Sequence, residues 1–458
     1  MKKNLIVFLC LLTSFANAQT VERWLTNADK SALLQQQTDK LSFGTEKTDN
    51  PTIFVDDTKR FQSMDGFGFT LTGGSATLIN QLKVTEKAAL LTELFATDQN
   101  NIGISYLRVS IGASDLSDHV FTYNDLPEGQ TDPNITRFSL AEEQKDLLPI
   151  LKQILKINPA IKILGSPWTP PNWMKTNQAS KGGSLKPEFY TAYARYLVKY
   201  IQAMQKEGIR IDAITIQNEP LHPGNNPSLL MLSSEQATFI KKNLGPAFKA
   251  ANIKTKIILY DHNADRPDYP ISILNDAEAR QYIDGSAFHL YGGNIEALNE
   301  VHEAHPDKNL YFTEQWIGSP GNFAGDLKWH TKNLIIGAPR NWSKNVLEWN
   351  LAADPKQNPH TDGGCTECLG ALTIGESIVR NPAYYIVAHA AKFVRPGSVR
   401  IASNTTISLA NVAFKTPAGK TVVIVLNESQ KPQSFTISSK GKTITQSLDG
   451  GSVATYVW

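Results

Sequence analysis

The sequence predicts an α/β protein: a (β/α)₈ barrel with an appended β-sandwich formed from both chain ends. Three observations predict it. Eight short apolar runs, each closed by turn residues, alternate with amphipathic stretches between Gly66 and Trp349. From about Arg400 the pattern changes to period-2 alternation broken by regular turn signals, which is antiparallel β. A β-like stretch, Thr52 to Val55, precedes the first barrel run and can pair with that C-terminal sheet.

In order, the expected barrel strands are Gly66 to Thr70, Ser105 to Ser110, Ile161 to Gly165, Ala213 to Gln217, Lys256 to Tyr260, Ser286 to Leu290, Leu310 to Thr313 and Asn345 to Trp349. Amphipathic helices are expected over Glu142 to Ile157, Glu188 to Glu207 and Ser234 to Ala251. An open, doubly wound sheet is disfavoured. It usually has fewer strands, and in "GFGFTLTGG" Leu71 stands where a dinucleotide loop needs its third glycine.

The chain start reads as an export signal. Lys2 and Lys3 precede the apolar run Leu5 to Leu12, and Ala16-Asn17-Ala18 supplies a small-residue cleavage site. The expected organisation is a signal peptide at 1–18, an N-terminal sandwich segment at 19–62, the barrel at 63–394 and the C-terminal sandwich at 395–458. No later apolar run is long enough for a membrane helix, so the mature protein is expected to be secreted or periplasmic without membrane insertion. Hydrophobic content of 41% and charged content of 19% suit a globular domain of this size. A formal net charge of +2, with no basic run interleaved by aromatics, excludes nucleic acid as the expected partner and favours a neutral substrate. Eight Trp and 14 Tyr permit a cleft in which apolar sugar faces stack on rings.

Of the three Cys, Cys10 falls in the leader, leaving Cys365 and Cys368. One C-x-x-C cannot close a zinc site without two further ligands, and the nine His show no metal spacing, so neither metal nor cofactor is expected. In an exported chain the pair reads as a short disulfide stiffening a Gly-rich loop. Free thiols or a redox pair are the alternatives.

Polar side chains collect at the strand ends, where α/β barrels do chemistry. "AITIQNEPLHPG" shows this best: a buried strand ends by presenting Asn218 and Glu219 before Pro220, which cannot continue a ladder. The second strand leads to Arg108 and Asp115, the third to Trp168, the fifth to Asp261 and His262, and the sixth to His289 and Tyr291. The seventh ends in Glu314 and the eighth in Glu348, Trp349 and Asn350. Glu219 and Glu314 on strands four and seven face each other across the mouth, as the two carboxyls of a retaining glycosidase must. One carboxyl would donate a proton and the other would attack the anomeric carbon, with Arg108 holding the nucleophile ionised and Asn218 bonding a sugar hydroxyl. Plainer readings stand beside these. Glu219 could be a helix-start acid, Glu314 or Arg108 an ion-pair partner, Trp168 and Trp349 loop packing, and His289 a residue that only orients a neighbour. Strand alternation could turn Glu348 away from the cleft.

The ordered set "GFGFTLTGGSA", "LRVSIGASDLSDHVFTYND", "GSPWTPPNWMKTN", "TIQNEP", "HLYGG", "FTEQW", "EWNLAADP" and "YYIVAHAAKFVRPGSVRI" resembles glycoside hydrolase family 30, the relatives of acid β-glucosidase. The resemblance implies Glu219 as acid/base and Glu314 as nucleophile. It places Asp115, Trp168, Asn218 and Trp349 around the non-reducing sugar, with Tyr291 near the nucleophile. His289 is grouped with the substrate-binding residues. The stretch "DPKQNPHTDGGCTECLGALTI" is more similar to the β-1,6-glucanase branch than to the animal lysosomal enzymes, which lack this Cys pair. The expected activity is therefore β-glucoside hydrolysis on β-1,6-glucan or a glucosylceramide-type substrate, with the Cys365–Cys368 loop overhanging the leaving-group side. Rival readings are another specificity on the same scaffold (xylan, fucoside or galactan), a non-catalytic glycan binder, and a redox protein using the Cys pair.

Overall fold

The computed structural model describes residues 20–458, so the leader assigned to 1–18 lies outside the described residues. Eight parallel strands close into a barrel in chain order. They are β1 (Gly66–Thr70), β2 (Tyr106–Ile111), β3 (Lys162–Pro167), β4 (Ala213–Thr215), β5 (Lys256–Ala264), β6 (Ile283–Gly293), β7 (Asn309–Glu314) and β8 (Ser343–Glu348). β8 pairs with β1 to complete the ring. Helices cover the outer faces of these strands, which is why each strand is spelled as a nearly unbroken apolar run. Among those helices, Leu147–Ile157 and Tyr190–Lys206 occupy the stretches expected to be helical.

The barrel interior is layered. Tyr106, Leu164, Ala213, Ile258, Ala287, Tyr311 and Leu347 form one apolar cluster. Side chains two positions on share the same face, and on five strands that step reaches Arg108, Ser166, Thr215, His289 and Thr313, all buried. A polar layer thus sits on an apolar plug. β5 breaks the rule, because two steps beyond Ile258 is Tyr260, yet Asp261 is the residue in the polar layer. Tyr260 is opposite Ala287 and His262 opposite Phe288, leaving Asp261 as an extra residue in the ladder. Tyr260 and Asp261 adopt φ of 69° and 66°. A bulge of this kind re-aims a side chain, here the Asp261 carboxylate into the barrel.

The second sheet draws on both chain ends. Thr20–Thr26 pairs antiparallel with Val453–Val457, and Thr52–Ser63 pairs antiparallel with Val399–Ser403 and parallel with Gln433–Ser439. Its core includes Ile53, Val423, Val425, Phe435, Ile437 and Tyr456. The sequence showed only the first third of the Thr52–Ser63 strand and none of Thr20–Thr26. No helix among the described residues is long and apolar enough to cross a membrane.

Candidate active site

At the C-terminal ends of the strands lies a cavity of about 340 Å³, lined in part by Asp115, Trp168, Asn218, Glu219, Tyr291, Glu314 and Trp349. The structure therefore brings together these seven residues singled out from sequence, and His262, Cys365 and Cys368 line the same cavity. Arg108 and His289 lie beneath them, both fully buried.

Glu219 owes its position to an unusual backbone. Its φ is 44°, a left-handed conformation that costs a non-glycine residue about 1–3 kcal/mol. The surroundings enforce it. Its N–H donates to the Asp261 carbonyl at 2.9 Å, its own carbonyl accepts from His222 N–H at 2.9 Å, and Asn218 N–H donates to Pro167 at 2.8 Å. The strand end is thus sewn to both neighbouring strands, and Pro220 finds no ladder partner to lose.

Glu314 ends β7, where both of its oxygens meet donors. The Arg108 guanidinium bonds Oε2, and the Tyr291 hydroxyl donates to Oε1 at 3.0 Å. A carboxylate oxygen of Glu314 and one of Glu219 lie within 4.8 Å of each other, with a His289 nitrogen in the same cluster.

Arg108 is the cation of the site. Besides Glu314 it donates to Ser166 Oγ at 3.0 Å, Asn218 Oδ1 at 2.7 Å and Asp261 Oδ2 at 2.8 Å, and it lies 4.8 Å from the Trp168 ring. Fixing the Asn218 oxygen leaves that amide's N–H₂ as the group offered to the cavity.

Asp261 is the group whose part sequence reasoning missed. Its Oδ2 accepts from Arg108, from Ser166 at 3.0 Å and from Thr215 at 2.7 Å, while Oδ1 accepts from Thr313 at 2.6 Å and His289 Nε2 at 3.1 Å. Burial opposes its charge, but Arg108 and His289 hold the carboxyl well below the usual range. Its strand-end position was visible, but the bulge that turns it inward was not.

His289, grouped with the substrate-binding residues from sequence, does not line the cavity. Its ring lies between carboxylates, with Nε2 on Asp261 and Nδ1 on Glu219 Oε1 at 3.1 Å. Burial favours the neutral ring, yet Glu314, Asp261 and Glu219 push it up to about 9. Both ring nitrogens are thus engaged by carboxylates, and Glu219, His289 and Glu314 form one close cluster.

Three carboxyls share this buried space. Burial would raise Glu219, but the hydrogen bond and charge of His289 hold it below its ordinary value. Burial raises Glu314 against the opposing pull of His289 and Arg108. Asp115 rises to about 7, from burial and then from the Glu314 and Glu219 charges. Glu348 takes no part. It faces away and bonds His330 Nδ1 at 2.8 Å.

Cys365 and Cys368 are joined. Their loop packs with Leu116, Trp168, Trp316 and Trp349. Thr361 N–H donates to the Asp115 carbonyl at 2.9 Å, and Gly364 lies so near it that a Cβ there would stand 2.3 Å away. Asn226 on the β4 loop bonds Asp362 at 2.8 Å. The loop therefore braces Asp115 and the tryptophans, and both cysteines line the cavity, so it borders the cleft as expected from sequence. That contact joins residues 246 apart in the chain, beyond the reach of local pattern.

Paired carboxyls among aromatic rings at a barrel mouth define a glycoside hydrolase. The chain belongs to glycosyl hydrolase family 30: residues 64–394 match the family's TIM-barrel domain and 397–456 its β-sandwich domain. It is 33% identical over 436 residues to an endo-1,6-β-D-glucanase of Aspergillus fumigatus, covering 88% of this chain and 87% of the relative. It is 31% identical over 437 residues to the lysosomal acid glucosylceramidase of Mus musculus, covering 87% and 82%. A solved endo-β1,6-glucanase superposes with a TM-score of 0.89 at 38% identity, over 96% of this chain and 99% of that one.

Proposed function

We propose that this β-glycosidase is an exported enzyme that cleaves β-1,6-linked glucan with retention, using Glu314 as nucleophile and Glu219 as acid/base. The observation that carries the reading is the closeness of the two carboxyls: one oxygen of each lies within 4.8 Å of the other, which suits the carboxyl separation of about 5–5.5 Å in a retaining pair. In the first step Glu314 attacks C1, the C1–O bond breaks, and the Glu219 proton passes to the departing oxygen. In the second, water gives a proton to Glu219 and attacks C1, releasing Glu314.

The proton inventory fits. Donors on both oxygens of Glu314 favour its charged form. In the open site the acid's proton resides on His289, 3.1 Å from Glu219 Oε1. Covering Glu219 with sugar strips its water and raises its pKa, drawing that proton across. Asp115, Trp168, Asn218 and Trp349 then hold the glycone. Retention is tested by NMR of the first-formed product: a β-glucoside should yield the β anomer, and an initial α anomer would end this reading.

The linkage is supported by the named glucanase relatives and by the polar cavity lining that includes Asn225, His262 and Asn263. The mouse relative supports a second reading, glucosylceramide. With detergent held constant, kcat/KM on β-1,6-glucan should exceed that on glucosylceramide by about tenfold or more, the worth of one well-made hydrogen bond. Efficient glucosylceramide hydrolysis with no glucanase activity would reverse the order.

A further inference from the structure

We propose that His262 is a leaving-group contact that recognises a sugar hydroxyl on the departing side of the scissile bond. The inference rests on Glu219 being the acid and goes beyond it by naming a residue that selects the aglycone. His262 follows the Asp261 bulge on β5, and its ring lines the same cavity as both glutamates. The side chain is more than nine-tenths buried, yet its Nδ1 has no hydrogen-bond partner in the protein. A buried imidazole nitrogen left unpaired costs free energy unless function uses the group.

Its position fixes which half of the substrate it meets. An acid must face the oxygen that leaves, so groups gathered on the far side of Glu219 from Glu314 face the aglycone. Glu219 is the carboxylate with the strongest electrostatic hold on His262. His222 and Asn225 on the β4 loop and Asn263 on β5 line the same cavity. Asn263 is fixed by Tyr291 N–H, which donates to its Oδ1 at 3.0 Å. The charged and titratable neighbours facing His262 are Glu219, His289, Asp265 and His222. Burial brings His262 down to about 4, so the ring is neutral at ordinary working pH, with one donor and one acceptor. A hydroxyl, itself donor and acceptor, is its complement; a ceramide methylene is not.

The test compares His262→Ala and His262→Gln with wild type on two substrates, a β-1,6-gluco-oligosaccharide and 4-nitrophenyl β-glucoside. The readout is the ratio of kcat/KM on the first to that on the second. His262→Ala should lower this ratio by about tenfold, and His262→Gln should recover most of it, since an amide keeps a donor and an acceptor. With the aryl glucoside as donor and gentiobiose as acceptor, the share of transfer product should fall in the Ala variant alone. An unchanged ratio, whether both activities fall together or neither falls, overturns the proposal. A wild type that hydrolyses the aryl glucoside but no gluco-oligosaccharide overturns it too. Loss of the Glu219 assignment itself would appear separately, as equal slowing of good and poor leaving groups in Glu219→Ala.

Discussion

Glu314→Gln is expected to lower kcat on every β-glucoside by on the order of 10⁴-fold or more, with the protein still folded. No other group can form the glycosyl-enzyme. Asp115 lines the same cavity, but burial, the largest cause of its raised pKa and one that remains in the variant, weakens it as a nucleophile. The fold should survive because Arg108 keeps Asp261 at 2.8 Å and a glutamine oxygen can still accept from its freed N–H. Arg108→Met is the contrast: it leaves the buried Asp261 carboxylate without its cation, and breaking such a pair costs about 3–5 kcal/mol. Circular dichroism and thermal melting separate the two variants. A 2-deoxy-2-fluoro glucoside should label the wild type at Glu314, read by peptide mass spectrometry. Label on Glu219, Asp115 or any other residue would refute the assignment.

The barrel and the two glutamates were legible because both follow from local rules. Parallel strands covered by helices are spelled as apolar runs, and an acid followed by proline at the end of such a run marks a lip where the ladder stops. The support beneath was not legible. Asp261 enters the barrel through one inserted residue, and period-2 counting would have assigned the place to Tyr260. His289 looks like any strand-end histidine until its two carboxylate partners, from β4 and β5, are placed around it. Thr20–Thr26 buries Val21, Trp24 and Thr26, a spacing that breaks strict alternation, so neither period marked it as a strand. The disulfide was readable from context, but the wall it braces was not, since Asp115 and Thr361 meet only in the folded barrel.

Glu219→Ala should separate substrates by how much their leaving groups need a proton. On a β-glucan or alkyl glucoside the loss should be about 10²–10⁴-fold, the usual worth of general acid catalysis. On 2,4-dinitrophenyl β-glucoside the first step should survive, because that phenolate departs unprotonated. The second step still lacks its base, so glycosyl-enzyme should accumulate and kcat should fall while kcat/KM holds. Azide needs no base and fits the space the carboxylate vacates, so adding it should restore kcat and yield β-glucosyl azide. The pH profile supplies a further check. In the wild type, kcat/KM falls as pH rises and the Glu219–His289 pair loses the proton that the leaving oxygen requires, with His289 raised to about 9. On the activated substrate that alkaline limb should flatten in the variant, which no longer donates a proton. Asp261→Asn should lower the limb's pKa instead, since it withdraws one of the carboxylates that keep His289 charged. Equal slowing of good and poor leaving groups, with no azide product, would mean that Glu219 is not the acid and that the proton comes from elsewhere in the cluster.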